Sequence, residues 1–318
     1  MKIRAGKAKG VGSALASALF LGLAPVFGKQ AMSLGFSPLA VVALRTIMAA
    51  GILFLLMAIF RRSYLFIYPA GILGCGLAGA LNGIGSILYY LALQRLSASV
   101  GQLIYSLYPI FVAVWLILDL QPPSRLTYWR TGVGLLGAVL LTYATPGGVD
   151  WIGVALMLGA SVLYALHLPI NQRVLYDIPA PTVTLYTLFA MSLVVVPAYL
   201  IFDHRLPVAG TSWLPLFGLT LVTFSSRLML FTGIKHIGGM QTALLGLSEL
   251  FVTVAFSHLW LGETLHTIQW IGASLLAVSL ILIGLEKVTS AHRQVRGGWL
   301  SWIRSSEIPP NIPWGPHD

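Results

Sequence analysis

The stretch WLPLFGLTLVTFSSRLMLFTGIKHIGGMQTALLGLSELFVTVAFSHLWL, residues 213–261, holds two apolar runs parted by Lys235, His236 and Gly238. Each is close to the roughly 20 residues that an α-helix needs to cross a bilayer. Each is also too long for a membrane β-strand of about 9–11 residues, so helices are implied. The same pattern recurs along the chain. It places ten spans at 11–34, 38–60, 69–93, 97–118, 127–144, 151–173, 179–202, 213–235, 239–261 and 266–286.

The composition agrees with this reading. Of 318 residues, 57% are hydrophobic and 9% are charged, against about 25% charged in a soluble globular protein. So few charges cannot cover a water-soluble fold of this size, which sets a soluble enzyme aside. Disorder, a coiled coil and a collagen-like chain are excluded by the same numbers. A mean hydropathy of +0.86 fits a polytopic membrane protein. The net charge of +10 does not point to nucleic acid, because the basic residues sit in the breaks between apolar runs. That is where membrane proteins keep cytoplasmic Lys and Arg. Cys75 is the single cysteine, so no intrachain disulfide, Cys-based metal site or Cys-pair redox site can be built.

With the N-terminus inside, fourteen Lys and Arg fall in cytoplasmic segments and two, Arg95 and Arg205, fall outside. Lys29, Arg45 and Arg227 lie within spans and complete the 19. Ten spans return the C-terminus to the cytoplasm, so both termini are expected there. The first residues imitate a signal peptide, with Lys2, Arg4, Lys7 and Lys9 ahead of Ala14-Leu15-Ala16. The apolar run continues to Gly28, past the roughly 7–15 residues of a signal core, so it reads as a span. In the tail, Trp299, Trp302 and Ile303 beside Arg304 suit either the membrane interface or a frayed end. Pro309, Pro310, Pro313 and Pro316 mark the last ten residues as disordered.

The chain repeats itself. Phe111-Val112 with Val114 returns as Phe251-Val252 with Val254, 140 residues later. The same offset pairs Thr127 with Thr267, Gly132 with Gly272, Leu135 with Leu275 and Leu136 with Leu276. Each half carries five spans. Five is odd, so the second half enters the membrane from the opposite side. Such inverted repeats place a substrate site at the repeat interface near the bilayer midplane. The organisation expected is a basic N-terminus at 1–10, a first five-helix repeat at 11–145, a second at 146–286 and a cytoplasmic tail at 287–318.

Several stretches carry a family resemblance. They are Tyr90-Leu91-Ala92-Leu93-Gln94-Arg95-Leu96-Ser97-Ala98-Ser99, then Leu107-Tyr108-Pro109-Ile110-Phe111 in the first half. The second half supplies Gly262-Glu263-Thr264-Leu265 and Gln269-Trp270-Ile271-Gly272-Ala273. With Gly22, Lys29 and Arg45, these resemble the EamA type of the drug/metabolite transporter superfamily over residues 11 to about 286. The first half departs from the pattern with Gln121-Pro122 in place of Gly-Glu, and span nine has Glu249-Leu250 where a proline is usual. The resemblance implies ten helices in two pseudosymmetric halves. It also implies a cavity lined by spans one, three, four, six, eight and nine, and export or exchange of small metabolites.

Ionisable groups inside a membrane are unfavourable by roughly 2.5–3.5 kcal/mol each on insertion scales, and so need a reason. Arg227 lies about 12 Å above the inner end of its span and Glu249 about 15 Å above the inner end of the next. The two spans are consecutive and antiparallel, so an ion pair is within reach. Either the pair only neutralises itself, or Arg227 takes a substrate carboxylate, or Glu249 takes up a proton. Tyr164, His167 and Asn171 share one helix face at i, i+3 and i+7, with Pro169 among them. His167 suits a proton or a ligand near neutral pH, or a packing role. Gln102, Tyr105 and Pro109 share a face of span four, with Tyr108 and Trp115 beside them. Asn82, Ser86 and Tyr89 group on span three. The candidate substrate-binding residues are therefore Arg227, Glu249, Asn82, Tyr105, Tyr108, Tyr164, His167 and Asn171. Tyr89 and Tyr90 read as an interface belt. Lys29 and Arg45, near the outer ends of their spans, read as snorkelling side chains.

No catalytic residue, cofactor or metal is expected. Gly132 to Gly137 matches GxGxxG but lies inside an apolar span, where close helix packing explains it, as it does Gly79-x-x-x-Gly83. There is no Walker A motif, no His-Glu-x-x-His and no Gly-x-Ser-x-Gly. The expected function is secondary transport of small organic metabolites across the cytoplasmic membrane by alternating access. Export of amino-acid-like or aromatic compounds is the direction expected. The alternative, a membrane-embedded enzyme acting on a lipid or lipid-linked substrate, would gather acid, base or metal ligands at one face, and the sequence does not. The partners expected are a small-molecule substrate and the lipid bilayer, without nucleic acid; a homodimer is left open.

Overall fold

The computed structural model describes residues 2–120, 124–142, 150–203, 205–208, 210–262, 267–282 and 298–300. Among them all regular structure is helical. The elements are α1 (Lys2–Ser33), α2 (Pro38–Phe60), α3 (Pro69–Arg95), α4 (Ala98–Tyr105), α5 (Tyr108–Leu118) and α6 (Arg125–Thr142). They continue with α7 (Trp151–Leu175), α8 (Ala180–Phe202), α9 (Leu214–Ile237), α10 (Gly239–Gly246), α11 (Glu249–Leu261) and α12 (Thr267–Ile281).

The starts are written in the sequence. Proline stands in the first two positions of α2, α3, α5, α8 and α9, where its missing N–H leaves no bond unmade. Ser37, Ser97 and Asp150 cap α2, α4 and α7 by accepting the N–H of the residue three places on, at 3.0–3.3 Å. The Asp150 carboxyl is held below the usual carboxylate range, first by the Gly153 N–H and then by Arg95, 3.1 Å away. Gly238, at φ +83°, allows the reversal from α9 to α10 that a side chain would strain.

Eight segments are long and apolar enough to cross a membrane, with α4–α5 and α10–α11 each counting as one. The predicted fifth and tenth spans fall on α6 and α12, which have 18 and 15 described residues and pack on each other. Large apolar side chains such as Leu193, Phe202 and Leu214 point outward at 77% exposure, a surface suited to hydrocarbon and not to water.

The fourth and ninth spans, expected as continuous helices, are each broken in the middle. Pro109 cannot donate to the Tyr105 carbonyl, and Ser161 Oγ donates to that carbonyl instead, at 3.0 Å. At both breaks a serine turns back onto the carbonyl three residues earlier. Ser106 Oγ donates to Leu103 O at 2.6 Å, and Ser248 Oγ donates to Leu245 O at 2.8 Å. At the second break the Leu245 carbonyl also accepts the Ser248 N–H, at 3.1 Å, so the serine side chain there reinforces a backbone turn.

Helices pair across the halves. α1 lies along α9 and α3 along α7; α3 packs on α8 and α2 on α9; α1 packs on α11 and α7 on α5. Small residues permit the close approaches. A Cβ at Gly79 would lie 2.5 Å from the Thr187 carbonyl oxygen, so α3 can approach α8 only through glycine there. Gly83 faces the same helix at Val194. In the GxGxxG stretch Gly134 and Gly137 are buried, whereas Gly132 faces open space, so packing accounts for two of its three glycines.

At the end of the molecule where α5 and α7 finish, Arg173 donates from Nε and Nη2 to Asp119 Oδ2, at 3.0 and 2.7 Å. The other oxygen of Asp119 accepts the Leu300 N–H at 3.1 Å, and Trp299 packs on Trp115. Residues 298–300 thus dock on the bundle, where the sequence left a choice between interface and frayed tail. The predicted proline-rich end, 309–318, lies outside the described residues.

Candidate functional site

A small cavity opens where α1, α2, α3, α4, α7, α9 and α11 converge, with about 50 Å³ available to the centre of a water-sized sphere. At roughly 10–15 Å³ per water on that measure, it has room for about four. Its polar wall is built from three ionisable side chains, Arg45, Arg227 and Glu249, and an aromatic cluster of Tyr89, Tyr90, Tyr105 and Tyr164.

Arg227, on α9, donates from Nη2 to Asn82 Oδ1 at 3.1 Å and meets His167 Nε2 with Nη1 at 3.3 Å. Its guanidinium lies 5.8 Å from the centre of the Tyr164 ring. The chemistry fixes the tautomer of His167. A guanidinium can only donate, so Nε2 accepts, and Nδ1–H donates to the Tyr164 carbonyl. Asn171 supports this imidazole from behind, donating from Nδ2 to the His167 carbonyl at 2.9 Å.

Glu249 begins α11 at the break in the ninth span. Its Oε2 accepts from Gln102 Nε2 at 3.1 Å, and Gln102 Oε1 accepts from the Tyr89 hydroxyl at 3.1 Å. Among the described residues no direct ion pair joins Glu249 to Arg227. The sequence left that pair within reach, and the structure does not make it. Arg227 is held by an amide and an imidazole, and Glu249 by the Gln102 amide, which the Tyr89 phenol supports in turn, so both side chains remain on the cavity wall.

The reading of Arg45 is corrected. It does not snorkel to the interface: it is 6% exposed and lines the cavity. Arg45 Nη1 donates to Thr223 Oγ1 at 3.0 Å, and the Thr223 hydroxyl donates in turn to the Leu219 carbonyl at 2.7 Å. The guanidinium stands 5.0 Å over the Tyr90 ring. Tyr89 and Tyr90, read as an interface belt, are likewise buried in this wall.

Of the eight candidates, Asn82, Tyr105, Tyr164, Arg227 and Glu249 meet at the cavity. Tyr108, His167 and Asn171 stand behind it. Tyr108 packs on Tyr105 and Tyr164 and donates its hydroxyl to the Ala243 carbonyl at 2.9 Å, joining α5 to α10. Sequence reasoning left out Arg45, Gln102, Ser86, Tyr89 and Tyr90 as site residues. Gln102 and Ser86 were on the faces named, and the depth of Arg45, seven residues inside α2 or about 10 Å, was the missed signal. Among the described residues no group of three or more His, Cys, Asp or Glu converges. What the wall offers is guanidinium, carboxylate, amide and phenol, groups that bind and orient.

A sequence profile of the EamA-like transporter family matches residues 8–143 and 151–285. The uncharacterized transporter YcbK of Bacillus subtilis is 23% identical over 278 residues, covering 81% of this chain and 86% of that protein. An uncharacterized transporter of Synechocystis sp. is 25% identical over 225 residues, covering 68% of this chain and 67% of its own length. A solved structure, titled only as the crystal structure of a protein, superposes with a TM-score of 0.69 over 87% of this chain and 96% of its own. At 16% identity that likeness speaks for the fold alone.

Proposed function

The chain belongs to the EamA-like transporter family and is a multi-pass membrane transporter, and from that premise we propose that it moves small carboxylate-bearing metabolites by alternating access. One observation carries the substrate reading. Charges from both halves of the chain, Arg45 from the first and Arg227 and Glu249 from the second, face one buried cavity between them. A secondary transporter built of inverted repeats keeps its site at that interface.

The proposed architecture is ten spans in two inverted five-helix halves. The helix pairs support it. Exchanging the halves turns α1–α9 into α7–α3, α3–α8 into α9–α2, and α1–α11 into α7–α5, all of which are packed pairs. The broken fourth and ninth spans exchange as well. In the proposed cycle the halves rock about the cavity. Gln172 Oε1 accepting from the Gly239 N–H at 2.7 Å, together with the Arg173–Asp119 pair, closes the end read as cytoplasmic. The proposed direction is export from the cytoplasm.

Counterflow tests the reading. Proteoliposomes loaded with unlabelled organic acids should accumulate the matching labelled acid, and empty liposomes should not. Failure of a broad panel of organic acids, with amines or sugars transported instead, overturns it. Orientation has its own test: a C-terminal fluorescent reporter that matures only in the cytoplasm should shine. A dark fusion with active alkaline phosphatase at the same junction rules out both termini being cytoplasmic.

A further inference from the structure

The cavity has more to say about what it holds. Two buried polar atoms on its wall, Arg45 Nε and the Tyr164 hydroxyl, have no hydrogen-bond partner in the protein. Such groups are rare in native interiors because each forfeits its hydration without return. Both residues are more than nine-tenths buried, at 6% and 3% exposure. Arg45 Nε can only donate, so it needs an acceptor; Tyr164 can do either.

Arg45 and Arg227 are tied to one another's position. Thr223, which holds Arg45, lies four residues before Arg227 on α9 and therefore on the same helix face. Two guanidinium groups stand against one carboxylate, Glu249, which accepts a hydrogen bond from Gln102. With Glu249 ionised, the fixed charges of the wall leave one positive charge without a counterpart. Buried charge is tolerated when it is paired, so a ligand of net charge −1 completes the site. A zwitterion leaves the surplus in place, and a cation doubles it. The room of about four waters in this conformation suits a short chain.

We propose that the cavity takes a short carboxylic acid of net charge −1, its carboxylate shared by Arg45 and Arg227 and a second oxygen function, hydroxyl or keto, met by the Tyr164 hydroxyl. Glu249, also on the cavity wall, repels the carboxylate and so orients it. The inference rests on the transporter reading of this cavity and narrows its substrate class.

The test uses full-length protein in nanodiscs and one three-carbon skeleton in anionic, zwitterionic, uncharged and cationic forms. The ligands are lactate, alanine, lactamide and alaninamide, with binding followed by calorimetry. Lactate should bind at least tenfold more tightly than alanine, and alaninamide should not register. Arg45→Gln should weaken lactate at least tenfold. Tyr164→Phe should weaken lactate three- to tenfold yet leave propionate, which lacks the hydroxyl, unchanged. Alanine or alaninamide binding as well as lactate overturns the charge rule, and so does lactate binding untouched by Arg45→Gln. Absence of lactate binding to the unaltered protein also overturns it. Should Arg45→Gln fail to give monodisperse protein, the charge series on the unaltered protein and the lactate–propionate comparison with Tyr164→Phe still decide. Lactate that binds as expected but shows no counterflow sinks the transporter reading and spares the charge rule. Transport of other organic solutes without lactate binding does the reverse.

Discussion

Replacing Asp119 with Asn should destabilise the protein by about 3–5 kcal/mol, the usual loss when one partner of a buried ion pair is removed. Arg173 reaches Asp119 Oδ2 with two nitrogens, and the side chains are only 2% and 0% exposed. Without the carboxylate's charge the guanidinium stays buried beside a neutral amide. The double replacement Asp119→Leu with Arg173→Met should recover most of the loss, because a buried pair can be exchanged for apolar groups at little net change. It should not restore the docking of residues 298–300, which lose the acceptor for the Leu300 N–H. Thermal unfolding in detergent reads the first effect, and faster proteolysis of the tail reads the second. The pair at the other end of the bundle is the control. Arg95 and Asp150 are 45% and 35% exposed, so Arg95→Gln should leave the unfolding midpoint nearly unchanged. An unaltered unfolding midpoint for Asp119→Asn would mean that the pair does not hold this end together.

The helices were legible because hydropathy over some twenty residues is a property of the local chain, and backbone that crosses hydrocarbon must bond within itself. Their starts were legible for the same reason, in proline and capping residues. The two breaks were harder. Pro109 advertises the first, but no proline marks the second, at Leu247-Ser248. The site was half legible. An arginine and a glutamate deep in apolar runs stand out by their cost, and helical spacing found Asn82, Tyr105 and Tyr164. Spacing along one helix cannot say what faces it from another. So Arg227 and Glu249 were matched by depth alone, whereas the bundle gave each a neutral partner. Arg45 was lost differently. A position nearer the outer end of a span permits snorkelling, and only the packing of α2 on α9 shows that Thr223 and Tyr90 hold the side chain inward.

That packing also settles how Arg227 must be tested. Arg227→Gln should cut transport of carboxylates about 100-fold while the protein still expresses and runs as a single species. A glutamine amide can still donate within the Asn82–His167 surroundings, so the wall keeps hydrogen-bonding capacity and loses its charge. A buried, charge-assisted contact to a substrate is worth roughly 2–5 kcal/mol when truncated, which sets the size of the fall. Glu249→Gln should fold normally too, because Gln102 and not the guanidinium is its partner. A purely structural arginine predicts otherwise. Then Arg227→Gln would fold poorly, and removing its neighbour's need for it, as in Arg227→Met with Asn82→Leu, would restore expression and transport together. Recovered transport in that double variant ends the assignment of Arg227 to the substrate. Recovered expression without transport leaves the guanidinium as the group that meets the carboxylate. Its position on α9, one turn from the threonine that anchors Arg45, then explains why a single ligand engages both halves of the chain at once.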